Sequence, residues 1–182
     1  PVLIVFRYIV NFISARFTNS QAKDKRINES FYFGLQYFLL TLFGVYISIQ
    51  QKFFTSFAIY QDLLDNTVNF QQELYMRIQL GVYISASCWL FLETRKHNAD
   101  FMLMIAHHVV TISLMSLAYS HQLTNFFIGV ATIHDFSDVI LELSKVLYYN
   151  KLRKIANLTW VLFTISFIGS RLYFYPKYFV LP

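Results

Sequence analysis

Apolar residues run along this chain in six blocks separated by short polar stretches, at about 1–18, 31–50, 74–93, 101–121, 124–148 and 155–175. Each has, or nearly has, the roughly 20 residues a helix needs to cross about 30 Å of hydrocarbon. The short alternating segments of a membrane β-barrel do not occur. The pattern predicts an all-α fold, a polytopic transmembrane helical bundle of about six segments. The 182 residues read as a single membrane domain, with the segment at about 1–18 a candidate to lie outside the core bundle.

The connecting stretches order these segments. The first, SQAKDKRINES, carries Lys23, Lys25 and Arg26. The second, about 51–73, is long and holds Lys52 beside Asp62, Asp65 and Glu73. Arg95 and Lys96 follow the third segment, the turn near His121 to Asn125 has no base, and YYNKLRK carries Lys151, Arg153 and Lys154. Basic loops thus alternate with non-basic ones. The positive-inside rule places the basic loops in the cytosol and the start of the chain on the other side.

Composition fits a chain built for lipid: 56% hydrophobic and 14% charged, with mean hydropathy +0.44. The net charge of +5 sits in loops, so it reads as topology and implies a lipid bilayer, not a nucleic acid, as partner. A single cysteine, Cys88, excludes a disulfide framework and a thiolate metal cluster. The apolar start lacks the charged front and small-residue cleavage site of a signal peptide. Beginning at Pro1 and stopping at Pro182 just after an apolar segment, the sequence is expected to be part of a longer chain. Asn28-Glu29-Ser30 matches a glycosylation sequon, but the topology puts it in the cytosol.

The fourth and fifth segments carry ionisable residues at membrane depth, where such groups are costly and normally face a bundle interior. On a helix of about 100° per residue, with His107 at zero, Asp100 falls at about 20°, Thr111 at about 40° and His108 at about 100°. With His134 at zero, Lys145 falls at about 20°, Asp138 at about 40°, Glu142 at about 80° and Asp135 at about 100°. Two polar stripes result, expected to face each other or a water-filled cavity. At about 1.5 Å per residue, His107 lies about 10 Å and Asp138 about 15 Å below the cytosolic surface.

A histidine near a carboxylate suits general base work, because the carboxylate orients the imidazole and stabilises its protonated form. A histidine can also accept an acyl group as nucleophile. Acyl transfer onto an amine or hydroxyl is the reaction class this suggests. A lone intramembrane histidine would more often be structural; five clustered titratable groups argue for a site. Glu142 and Lys145, taken alone, read as an ion pair. Arg77 and Arg171 are left between snorkelling, pairing with a carboxylate and binding an anionic group. Five histidines are too few for a di-iron histidine-box centre. His107, His134 and Asp138 are ligand types that zinc accepts, but nothing in their spacing demands a metal, and none is assigned.

His107-His108-Val109-Val110-Thr111, then Ser120 and Gly129, then His134-Asp135-Phe136-Ser137-Asp138, then Glu142 and Lys145, resemble the longevity-assurance motif of the ceramide synthases, within the TLC-domain superfamily. Trp89, Glu93-Thr94-Arg95-Lys96 and Asp100-Phe101 resemble the segment before the motif, and Arg171-Leu172-Tyr173-Phe174-Tyr175-Pro176 the end of the helix after it. The motif-like region spans about 100–145. Two extra residues between Lys96 and Asp100, and the absence of a basic residue just before Gly129, depart from the family pattern. The resemblance implies N-acylation of a sphingoid base by a fatty acyl-CoA in the endoplasmic reticulum membrane, with no cofactor beyond that co-substrate. It implies His107, His108, Asp135 and Asp138 as catalytic residues, and Thr111, His134, Glu142 and Lys145 as supporting ones. It also implies a further membrane helix after the sixth segment, and leaves homo- or hetero-oligomerisation or an accessory subunit open. The rival expectation is a TLC-domain protein that binds or senses lipid without catalysis.

Overall fold

The structure is a computed structural model and describes residues 2–15, 21–52, 68–91 and 101–177. Among these there are six α-helices and no strand: α1 Val2–Ala15, α2 Gln21–Gln50, α3 Phe70–Leu90, α4 Phe101–Ser120, α5 Thr124–Tyr149 and α6 Arg153–Ile168. A π-helical segment, Gly169–Phe174, continues α6. The expected all-α organisation is what forms. Helix α2 starts ten residues before the second apolar block, so most of SQAKDKRINES is helix and not loop. That stretch has no glycine or proline, and its Gln, Ala, Lys, Arg and Glu residues carry the helix past the membrane edge at little cost. Helix α3 also starts early, at Phe70; the backbone N–H of Asn69 donates to Gln72 Oε1 at 2.8 Å and secures its first turn.

Among the described residues, three stretches are long and apolar enough to cross a membrane: Lys25–Gln50, Phe101–Ser120 and Arg153–Phe174. Helices α3 and α5 have the length, at 21 and 26 residues, but carry more polar groups. The surface of α4 and α6 is apolar nearly all round, with Leu103, Val109, Val110, Leu114 and Leu117 exposed on α4 and Leu158, Val161, Leu162, Ile165 and Ile168 on α6. Such a surface needs lipid around it. Hydroxyls in these helices turn inward to their own backbone: Ser113 donates to the Val109 carbonyl at 2.8 Å, Thr164 to Trp160 at 3.0 Å and Ser48 to Gly44 at 2.7 Å. In hydrocarbon this satisfies a donor that water cannot reach. The chain is a multi-pass membrane protein.

Two compact units emerge from the packing. One comprises residues 1–43 and 130–182, the other residues 44–129. In the first, Arg7 of α1 lies over the ring of Tyr32 of α2, 5.1 Å from its centroid, and Phe6 meets the same ring at 5.8 Å. In the second, α3 packs on α4, and Gln72 donates through Nε2 to Asn125 Oδ1 at 2.6 Å, joining two buried side chains.

The turn between α4 and α5 closes tightly. Gln122 adopts φ 55°. Its N–H donates to the Tyr119 carbonyl at 3.2 Å, and that of Leu123 to Ala118 at 2.9 Å. This double bond pattern normally has glycine at the left-handed position, because a side chain there costs about 1–2 kcal/mol. Gln122→Gly is therefore expected to stabilise the protein by up to about 1 kcal/mol, and Gln122→Val to destabilise it. Thermal unfolding of the detergent-solubilised full-length protein checks both signs.

Candidate functional site

Helix α5 runs unbroken through its polar stripe, so the angular reading holds and its sides can be ranked by burial. Asp135 is 0% and Glu142 3% exposed; both lie at the centre of the buried face. His134, Asp138 and Lys145 lie toward its edge and are half-buried. A carboxylate taken out of water loses several kcal/mol of hydration, so it must find compensation within the protein. Glu142 does: Lys145 Nζ sits 2.7 Å from its Oε1, one turn along the same helix. The expected ion pair forms. Asp138 also finds a cation, Nη2 of Arg171 at 3.3 Å, supplied by the π-helical segment. Of the three roles open to Arg171, pairing with a carboxylate is the one the structure adopts.

His134 is held by its own helix. Its Nδ1 lies 2.8 Å from the Val130 carbonyl. A carbonyl oxygen only accepts, so Nδ1 carries a proton and donates it in this hydrogen bond. Tyr175 packs edge-on against the ring at 5.8 Å. Ser137, fully buried, donates to the His134 carbonyl at 2.8 Å. These contacts fix the turn from which Asp135 and Asp138 project.

Glycine enters here for its small size. A Cβ at Gly34 of α2 would stand 3.2 Å from Cβ of Glu142, so the bare Gly34 backbone lets α2 close over the Glu142 stem. Helix α2 turns a polar side inward in this unit: Glu29, Ser30, Gln36 and Thr41 are all buried. That face went unseen in the sequence because the block at 31–50 reads as uniformly apolar and Glu29 and Ser30 read as loop. Ser30 closes the sequon noted above and is buried within a helix.

The histidine pair belongs to the other unit. His107 is exposed, and its ring centre lies 5.9 Å from that of His108. His108 is half-buried and meets Tyr83 of α3 edge-on at 6.0 Å. Thr111, one turn beyond His107, is half-buried. Asp100, expected on the same face, lies outside the described residues. Arg77 pairs with Glu73 at 2.5 Å and donates through Nε to Tyr119 Oη at 3.3 Å; with 64% of its side chain exposed, this pair is worth little energetically. The structure thus brings Asp138, Glu142, Lys145 and Arg171 together in one unit and His107 with His108 in the other. Among the described residues, no three His, Cys, Asp or Glu side chains are grouped to hold a metal ion.

A family model of the TLC domain matches residues 26–182. Ceramide synthase LOH2 of Arabidopsis thaliana is 37% identical over 112 residues, covering 59% of this chain and 36% of that protein. Ceramide synthase 1 LOH3 of the same plant is 26% identical over 166 residues, 87% of this chain and 53% of the relative. Human ceramide synthase 5 is 31% identical over 102 residues, 56% of this chain and 26% of the relative. The chain spans from about a quarter to about half the length of these curated relatives.

The Gly34 contact predicts two different outcomes. Alanine there gains up to about 1 kcal/mol of helix propensity and loses a similar amount in moving Glu142 by a few tenths of an ångström, so Gly34→Ala should be close to neutral. Gly34→Leu overfills the contact and should cost about 1–3 kcal/mol. Denaturation midpoints of the two variants in one detergent measure the difference.

Proposed function

The chain belongs to the TLC domain family, and from that membership we propose that it transfers a fatty acyl group from acyl-CoA to the amine of a sphingoid base, making a ceramide. Its place is the endoplasmic reticulum membrane, with the basic loops in the cytosol, where acyl-CoA is met. The observation that carries this reading is the buried acidic face of α5. Asp135 is fully enclosed, Asp138 is held by Arg171 and Glu142 by Lys145, within about two turns of helix. A membrane helix bears the desolvation of three carboxylates only where they have a task.

The roles follow from the reaction. A sphingoid amine is an ammonium at neutral pH and has no lone pair until it gives up a proton. A neutral imidazole of the His107/His108 pair takes that proton. The freed amine attacks the thioester carbonyl, the C–N bond forms, the C–S bond breaks, and the thiolate of CoA leaves and is protonated. In a two-step version a ring nitrogen of the pair first accepts the acyl group and the amine then displaces it. Asp135 and Asp138 are assigned to the same reaction by the resemblance of their His-Asp-Phe-Ser-Asp run to the longevity-assurance motif. Thr111, His134, Glu142 and Lys145 support: His134 and Ser137 fix the α5 turn, and the Glu142–Lys145 pair holds charge balance beside it.

A second reading has its own support. Glu142 and Asp138 each find a cation inside the protein, as the carboxylates of a structural or lipid-sensing face would also do. Single substitutions separate the two. In membranes containing the full-length protein, His107→Ala, His108→Ala, Asp135→Asn and Asp138→Asn are each expected to lower ceramide formation at least about 100-fold while membrane insertion is unchanged. Near-normal ceramide from inserted variants would remove the catalytic assignment and favour the sensing role.

A further inference from the structure

Among the described residues around α5, Arg171 is the charged group that the reaction above leaves without a task, and its surroundings leave it half-satisfied. Its side chain is 23% exposed. The guanidinium lies over the ring of Phe167, 4.3 Å from the centroid. It reaches Asp138 through Nη2 alone, at 3.3 Å. Charge-assisted N–H···O bonds are normally shorter, about 2.7–2.9 Å, and an arginine facing a carboxylate normally engages it with two parallel donors. Here the Nε–H is buried and has no hydrogen-bond partner among the described residues. A buried donor left unmet costs free energy, so the arrangement is expected to be complete only when an acceptor arrives.

The local backbone points the same way. Arg171 sits inside the π-helical segment Gly169–Phe174. The N–H of Tyr175 reaches the Ser170 carbonyl, five residues back. Wide turns of this kind cost hydrogen-bond geometry and recur at functional sites. This one sets the Arg171 stem on the side of Asp138. Helical side chains also lean toward their N-terminus, here back toward the basic loop YYNKLRK, which is the direction that brings the guanidinium to the depth of Asp138.

We propose that Arg171 contacts the substrate and donates to the carbonyl oxygen of the fatty acyl group as negative charge develops on it. The inference rests on the acyl-transfer reading given above and names the group that answers its electrostatic demand. Acyl transfer gathers charge on one oxygen inside an apolar bundle, where a preorganised cationic donor has its greatest effect. Asp138 keeps the guanidinium in place without using up its donors, and Phe167 shields one of its faces.

The alternative is that Arg171 only balances the charge of Asp138. Arg171→Lys separates the two, because lysine keeps the charge and loses the Nε donor and the planar fork. With full-length protein in membranes, Arg171→Lys is expected to lose about 10²–10³-fold in kcat, with a wild-type melting temperature and little change in the KM for the sphingoid base. Wild-type kcat in a folded Arg171→Lys protein would overturn the proposal. A binding measurement stands apart from turnover. A ketone analogue of acyl-CoA, with methylene in place of the thioester sulfur, keeps the carbonyl and cannot react; a thioether analogue lacks the carbonyl. The wild-type protein is expected to bind the ketone more tightly, and Arg171→Lys to lose that preference. If the protein makes no ceramide yet shows this preference, the contact stands and the reaction assigned above falls. If the wild type shows no preference, or if Arg171→Lys keeps it, the contact itself is refuted.

Discussion

Charge inside hydrocarbon is the constraint on which the rest of this structure turns. Helix α5 carries five ionisable side chains, and none of them can be hydrated by lipid. Four of them draw a visible structural response from the chain around them. Glu142 recruits Lys145 from the next turn. Asp138 recruits Arg171, and α6 widens into a π-helix where that arginine leaves it. His134 donates its Nδ1–H to the Val130 carbonyl of its own helix. Helix α2 drops a side chain altogether at Gly34 so that it can cover the Glu142 stem. Packing alone would call for none of these features, since leucine at the same positions would fill the space without compensation.

Functional and structural demands pull in different directions on this face. Replacing a buried ion pair by apolar residues of similar volume is often neutral or stabilising, whereas removing one partner is costly. The pairs on α5 are therefore poor candidates for devices that merely hold the fold together. They make sense as a way of holding carboxylates in a fixed orientation where water is scarce. That requirement belongs to chemistry or to recognition of a polar lipid headgroup, and acylation of a sphingoid amine calls on both.

Much of this was legible in the residues. Six apolar blocks became six helices, and the i, i+4, i+8 spacing of His134, Asp138 and Glu142, with Lys145 one turn further, defined a face whose burial the structure bears out, since a continuous helix preserves angular spacing. The Glu142–Lys145 pair was legible for the same reason: its partners are three residues apart. What spacing cannot carry is contact between helices. Nothing in the sequence said which carboxylate Arg171 would meet, or that its helix would loosen into a π-turn there. Gly34 looked like any glycine in an apolar run, because its use depends on a stem arriving from another helix. The polar inner side of α2 was hidden because Glu29 and Ser30 read as part of a charged loop, which helix-favouring residues in fact extend into α2.

The most direct test is whether the protein joins the two substrates at all. Membranes containing the full-length protein would be supplied with a sphingoid base and isotopically labelled long-chain acyl-CoA, and the lipids read by mass spectrometry. An N-acyltransferase yields a labelled ceramide whose amount rises with the quantity of inserted protein, with release of one free CoA thiol for each ceramide formed, and that is the expected result. Folded, inserted protein that binds either lipid but yields no labelled ceramide would contradict it and leave the acidic face of α5 as a site of lipid recognition.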